Sequence, residues 1–527
     1  MTIFEKKQKG IIIRSKMVER RFKWLAVFFV LLLAVIASSC VKSRTVPDSS
    51  EFIYSGPQTQ SGLLSESASE TASSGKESSE SRENSMGSEI SKHPETSKPA
   101  EPGKPSESSA QPNTSAPSES SKPSESSRPS ESSQPSENSK PPESEPEPQP
   151  ALPEYLKGIW VSQYDMSSVY LNGSAQRSKS SYTAMVEKIV ANIKQDGFNT
   201  IFLQMRPFGD SFYNSEYYPL SRFVAGSYGG SIGYDPIEIF IEKARAQGLT
   251  VHAWINPMRL MLTGEMAAVP DRYLIKQWYK AGGDRVVEVD GRLYLNPAYP
   301  EARQLIADGA AEILKKYNVA GIHIDDYFYP TKDASFDKIS FAKSGYASLQ
   351  AFRENNINQM VSLLYQTVHK TKKDAVFGVS PAGNLDSLRS TYFIDVQKWC
   401  SEDGYIDYII PQLYYGFLHG VCPFDKMVDK WEAIITNPKV KYYVGLSGGN
   451  AYNAYSGGIS VWAVTEAGKY EWINHKDVLK RSFEYIFNKD SVDGYCFFCY
   501  QYLYSPTTGS PTPALAAEYA NFIDLIR

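Results

Sequence analysis

Cysteine and histidine are both scarce, at five and six in 527 residues. With so few soft ligands, and no HxxxH pair or cysteine-rich cluster, the chain encodes no transition-metal site, and no cofactor is expected. The pair in Cys496-Phe497-Phe498-Cys499 has CxxC spacing but sits in a strand-like run. Residues three apart on a strand face opposite sides, which suits neither zinc nor a redox dithiol, so Cys400, Cys422, Cys496 and Cys499 read as buried free thiols. Charge of one sign is lacking too. A net charge of −4 offers no footing for nucleic acid. The one marked apolar run, Trp24 to Ala37, is short for a membrane span. No glycine-rich loop follows the first strand candidate, which argues against a dinucleotide-binding open sheet.

What is present at the amino end is a targeting segment. Lys6, Lys7, Lys9, Arg14, Lys16, Arg20, Arg21 and Lys23 precede the apolar run, and small residues close it. Ala37-Ser38-Ser39-Cys40 resembles a bacterial lipobox, with Ala37 where a branched aliphatic is more usual. The resemblance implies lipidation of Cys40 as the first residue after cleavage of 1–40; an uncleaved signal anchor is the alternative. Either holds the chain to the outer face of a membrane. Residues 41–153 are poor in apolar side chains, and a Pro-Ser-Glu-Ser-Ser unit recurs with prolines at Pro117, Pro123, Pro129, Pro135 and Pro141. Such a segment cannot bury enough apolar surface to offset its ordering entropy and reads as a disordered Ser/Pro/Glu-rich tether.

From residue 154 to 527 the character changes. Tyrosine, tryptophan and β-branched residues become frequent, and strand and helix patterns alternate. Strands are expected over 157–164, 200–206, 250–255, 321–325, 376–380, 406–413, 441–446 and 494–500. Helical spacing runs over 182–193, 235–248, 301–317, 346–369, 394–401, 424–435, 476–488 and 513–526. Asp235-Pro236 supplies a capping acid and a first-turn proline. Eight such units predict the α/β class and a single (β/α)8 TIM barrel. Long insertions follow strands two, three and seven, at 207–234, 256–300 and 447–475. The middle one carries a hairpin over 286–295, turning at Asp290-Gly291. All three fall on the face where such barrels keep their sites.

The centre of that face is Gly321-Ile322-His323-Ile324-Asp325-Asp326-Tyr327-Phe328-Tyr329-Pro330. Alternation puts Ile322 and Ile324 toward the helices and His323 and Asp325 inward. Two adjacent acids at a buried strand end have no packing rationale, although a capping role is the plain alternative. With them the strand ends deliver Gln204, Arg206 and Asp210; His252, Trp254, Asn256 and Arg259; His323, Tyr327 and Tyr329; Ser380 and Asn384; Gln412 and Tyr414; and Tyr500. Aromatic rings pack on pyranose faces, while amides and charges bond hydroxyls. The set therefore reads as substrate-binding toward a polysaccharide, with Asp325, Asp326 and Asp210 as candidate catalytic acids.

Four stretches carry a family resemblance. They are Phe198 to Pro207 with Gly209-Asp210, His252 to Pro257 with Arg259, Gly321 to Pro330, and Ile406-Asp407-Tyr408 through Pro411-Gln412-Leu413-Tyr414. Together they resemble the glycosyl-hydrolase-like 10 family of bacterial envelope lipoproteins. One departure is Ser380-Pro381-Ala382-Gly383-Asn384, where the family commonly has Ser-Pro-Phe-Gly. The resemblance implies a (β/α)8 glycoside hydrolase facing the cell wall, with some members similar to enzymes that cut peptidoglycan strands stripped of their peptides. Hydrolysis would use an ionised Asp325 as nucleophile or base, with Asp326 or Asp210 as the acid. No clear glutamate ends strand four or five, unlike the common retaining enzymes. A non-catalytic glycan-binding lipoprotein is the alternative. A metal-dependent deacetylase is disfavoured because no His-and-Asp metal set is present. Nothing in the sequence bears on oligomeric state.

Overall fold

Eight parallel strands close into a barrel in chain order. They are β1 (Leu156–Val161), β2 (Thr200–Arg206), β3 (Thr250–Ile255), β4 (Gly321–Ile324), β5 (Val376–Val379), β6 (Tyr408–Ile409), β7 (Lys441–Ser447) and β8 (Gly494–Phe498). β1 pairs with both β2 and β8, which closes the ring. The computed structural model describes residues 153–527. The signal segment, Cys40 and the tether up to residue 152 lie outside those residues.

Helices cover the barrel's outer surface: α1 (Gln163–Tyr170), α2 (Lys179–Gln195), α3 (Pro236–Ala246), α4 (Pro300–Lys316), α5 (Leu349–Thr371), α6 (Val396–Ser401), α7 (Phe424–Ile434), α8 (Val478–Phe487) and α9 (Ala516–Ile526). α3 begins as its sequence requires, with Asp235 accepting from Ile237 N and Glu238 N ahead of Pro236.

Strand alternation sorts the side chains into two cores. Ile159, Val161, Ile201, Leu203, Ile322 and Ile324 face the helices. Trp160, Phe202, Trp254, Tyr408, Tyr443 and Cys496 fill the inside. The barrel is therefore packed solid below its mouth, as these folds are. One glycine makes room for this filling: a Cβ on Gly378 of β5 would fall 2.1 Å from the Tyr408 ring.

Three strand ends differ from the sequence expectation. β1 stops at Val161 because Ser162 and Asp165 form a capping box that starts α1. β6 keeps only two residues; Pro411 lacks an N–H, and pairing resumes only as single bridges at Gln412. β8 stops at Phe498, and a short helix, Tyr500–Leu503, follows. The last of these corrects the cysteine argument. Cys496 and Cys499 both lie in the inner core, because the alternation ends between them. All four described cysteines are free and buried, and burial raises their thiols. The expected hairpin forms from Val286–Val289 and Arg292–Leu295, with Asp290 and Gly291 both at positive φ. Arg259–Leu262 adds a third strand to it.

Candidate active site

Asp325 follows β4 directly, 2 % exposed, at the floor of the barrel mouth. Trp254 Nε1 donates to its Oδ2 at 3.0 Å, and Asn256 Nδ2 donates to the same oxygen at 2.5 Å. Tyr327 N donates to Oδ1 at 3.3 Å. Trp254 and Asn256 are two apart at the end of β3, so alternation aims both at the neighbouring strand's acid.

A relay of amides stands behind Asn256. Gln163 N donates to Gln204 Oε1 at 2.8 Å, and Gln204 Nε2 donates to Asn256 Oδ1 at 2.8 Å. A backbone N–H is only a donor, so it fixes the Gln204 amide. Gln204 in turn fixes Asn256 with its NH2 toward the carboxylate. Gln204 thus positions Asp325 through Asn256. Gln204→Glu removes the donor in the middle of this relay. The expected result is a roughly hundredfold fall in kcat with KM nearly unchanged, measured by steady-state kinetics on a cleaved glycan.

Burial, and next the Asp326 charge, push the Asp325 carboxyl up to about 8, against the pull of Tyr327 N, Arg259 and Trp254. Adjacent acids titrate as a pair, so near neutrality the two hold one proton between them. Donors reach both Asp325 oxygens, two on Oδ2 and one on Oδ1. β4 ends at Ile324 and the chain bends at Asp326. Strict alternation therefore no longer separates the two side chains. Arg259 sits 4.0 Å above the Tyr327 ring and 4.7 Å from the Phe208 ring, a cation held in aromatic walls beside the pair.

Across the mouth, Ser380 N donates to Ile324 O at 2.8 Å, and Gln412 Nε2 donates to Ser380 O at 3.0 Å. Ser380 Oγ, Gln412 Oε1 and both side-chain polar atoms of Gln163 are buried with no protein partner. Such groups are costly unless something bonds them, and a sugar hydroxyl supplies both donor and acceptor. Tyr414 stacks on Phe498 at 5.8 Å, and Asp326 contributes to raising its hydroxyl after burial. Tyr164, 41 % exposed, lies near the hydroxyls of Tyr327 and Tyr502. Gln163, Tyr164 and Tyr502 escaped the sequence reading. The signal for the first two was Ser162-Gln163-Tyr164-Asp165, a capping box that ends the strand there.

Six expected site residues are turned elsewhere, and a seventh, Asn384, stands at a helix start. His252 and His323 lie two residues deeper than Trp254 and Asp325, sealed in the inner core with Tyr408 OH between their Nδ1 atoms at 3.1 and 3.3 Å. Trp160 Nε1 donates to His323 Nε2 at 3.2 Å. Burial pushes His252 down to about 3 and His323 well below its usual value, so both are neutral filling. A bulge between Gln204 and Arg206 swings Arg206 outward, where its guanidinium stacks 4.1 Å over Tyr218 against Gly309 of α4. Asp210 closes its own turn, with Oδ1 accepting from Phe208 N at 2.9 Å. Burial raises it to about 6, against the bonds it accepts from Ser221 and Phe208 N. Tyr329 OH meets Asn356 Nδ2 at 3.4 Å under Arg353. Tyr500, past the strand end, accepts from Asn192 of α2 at 3.1 Å. Asn384, partly exposed, precedes the helix Leu385–Thr391 as its cap.

The sequence profile described as glycosyl hydrolase-like 10 matches residues 155–455. The chain belongs to this family. As a family member it is a glycoside hydrolase with a carbohydrate substrate. It is similar to the glycosyl hydrolase DigH of Escherichia coli (strain K12), at 28 % identity over 406 residues, covering 69 % of this chain and 88 % of the relative. It is also similar to the glycosyl hydrolase YngK of Bacillus subtilis (strain 168), at 30 % identity over 289 residues, covering 49 % and 54 %. Among solved structures, it is similar to the PgaB (BpsB) glycoside hydrolase domain from Bordetella bronchiseptica. There the identity is 13 %, the coverage 70 % of this chain and 99 % of the other, and the TM-score 0.45.

Proposed function

We propose that this glycoside hydrolase cuts a polysaccharide of the bacterial cell envelope, with peptide-free peptidoglycan strands as the substrate. We further propose that it does so from the outer face of the membrane, held by a lipidated Cys40 and the tether. The observation that carries the catalytic reading is the buried Asp325–Asp326 pair, oriented by Trp254 and Asn256 at a mouth lined with tyrosines and spare amides. Asp326 would protonate the leaving oxygen while Asp325 supplies the negative charge opposite the developing oxocarbenium ion. Tyr164, Tyr414 and Tyr502 offer ring faces for pyranoses, and Gln163, Ser380 and Gln412 offer bonds to their hydroxyls.

The test is product analysis by mass spectrometry on purified peptidoglycan, peptide-free strands and other polysaccharides. Shortened oligosaccharides from the peptide-free strands support the proposal. Tight retention without cleavage of any glycan would leave the binding-protein reading in its place. The pair also sets a pH profile. The proton the pair shares is present below about pH 8 and lost above it, so kcat should fall as pH rises through that value. A second limb should appear on the acid side, where the pair takes up its second proton. A rate still rising at pH 9 would contradict the assignment.

A further inference from the structure

Away from the mouth, on the outer flank of the barrel, α4, α5 and α6 border a groove of about 420 Å³. Its long wall is one face of α5. From Asn355 to Gln366 this outer helix carries no charged residue, and Asn355, Asn358, Gln359, Ser362 and Gln366 line the groove in their place. The solvent side of a barrel helix ordinarily carries acids and bases, as α2 does with Glu187, Lys188 and Lys194. Three turns of neutral amides are not needed for solubility.

At the floor lies Arg303 of α4, 9 % exposed. Its Nη1 donates to Pro297 O and its Nη2 to Gln359 Oε1. Three of its five N–H donors are left over. Among the described residues no carboxylate lies within ion-pair distance of it. Glu301 acts on it from beyond ion-pair distance and is itself held by Arg285, so a ligand carboxylate would meet the spare donors in the bidentate geometry a guanidinium favours. Tyr405 and Leu363 add apolar surface to the lining, and Lys398 stands at the rim, paired to Glu402 at 2.6 Å.

We propose that this groove is a second glycan-binding site, distinct from the catalytic mouth, which takes a saccharide segment bearing a carboxylate. The amides meet hydroxyls, Tyr405 meets a ring face, and Arg303 meets the acid. The proposal rests on the reading of the chain as a glycan-acting enzyme and adds a grip on long polymers. A strand held in the groove presents its remainder to the mouth at high effective concentration.

The experiment uses the full chain carrying Asp325→Asn, so that nothing is cut. The probes are peptide-free peptidoglycan strands with their lactyl carboxylates, the same strands after amidation of those carboxylates, and neutral chitin oligosaccharides. Hydroxyl-radical footprinting reads Tyr405 and Leu363, and calorimetry reads affinity. The native strands should protect both residues, and the amidated strands should protect them weakly or not at all. Adding Asn355→Asp and Gln366→Glu, which keep shape but repel a carboxylate, should weaken strand binding tenfold or more with the melting temperature unchanged. Unprotected Tyr405 and Leu363, or equal affinity in the acidic variant, would overturn the groove. Cleavage by the unmutated chain is scored separately. Strands protected in the groove but never cut would sink the glycosidase reading alone, whereas strands cut without groove protection would sink the groove alone.

Discussion

The Asp325→Asn chain is expected to fold, to melt a few degrees above the parent at pH 8, and to release no product from any glycan the parent cuts. Asparagine is nearly isosteric with aspartate. Its carbonyl oxygen can take the Oδ2 position and accept from Trp254 Nε1 and Asn256 Nδ2. Its NH2 then replaces Oδ1 and forfeits only the long bond from Tyr327 N at 3.3 Å. The fold therefore loses little, while the reaction loses the one negative charge held ready at the mouth. A fall of about 10³-fold or more follows for a group acting directly on the reacting centre. The stability gain has a definite pH dependence. The folded pair holds its proton up to about pH 8, far above an unfolded aspartate, so folding of the parent weakens as pH rises from roughly 4 to 8. The variant escapes this. Its advantage in calorimetric melting should be near zero at pH 4, grow to pH 8, and stay level above. Full activity in a folded variant would remove Asp325 from the mechanism; a melting advantage independent of pH would remove the shared proton.

How much of this was legible beforehand depends on whether local pattern or tertiary geometry decided the matter. Strands β2 and β3 stand where the sequence placed them, at Thr200–Arg206 and Thr250–Ile255, because unbroken β-branched and aromatic runs between turn signals leave few alternatives. The inward turn of His323 and Asp325 followed from period two alone. Depth did not. His252 and Trp254 share a face, yet two residues of strand separate a sealed core histidine from a tryptophan that bonds the acid, and sequence carries no marker for that step. Arg206 was lost to a bulge, and Tyr500 to a strand that ends two residues earlier than its apolar run. Gln204 and Asn256 were expected to touch substrate. Their polar atoms instead face each other and Asp325, a relay that joins residues far apart in sequence.

The other large effect is expected at Arg353, which never touches the mouth. Its Nε and Nη2 donate to the two oxygens of Asp337 at 2.8 and 2.7 Å, and both side chains are fully buried. The remaining donors reach Thr331 O at 3.0 Å and Asp333 O at 2.7 Å. One guanidinium thus fastens residues 331–337 onto α5, and with them the far end of the segment that begins at Asp325. Arg353→Met would leave Asp337 charged and buried with no counter-charge and only the Tyr329 hydroxyl beside it, so a loss of about 3–5 kcal/mol is expected in denaturant unfolding. Activity should fall with it, even below the melting transition, because the backbone that carries Asp326 and Tyr327 loses its anchor. The double change Arg353→Met with Asp337→Leu discriminates between the two losses. Removing both charges takes away the desolvation cost, so most of the stability should return. The carbonyls of Thr331 and Asp333 stay unfastened, so the rate should not. A double variant that recovers stability and rate together would show that the pair serves the fold alone. One that recovers only stability would make Arg353 a positioning residue for the acid pair, acting from the far side of the loop.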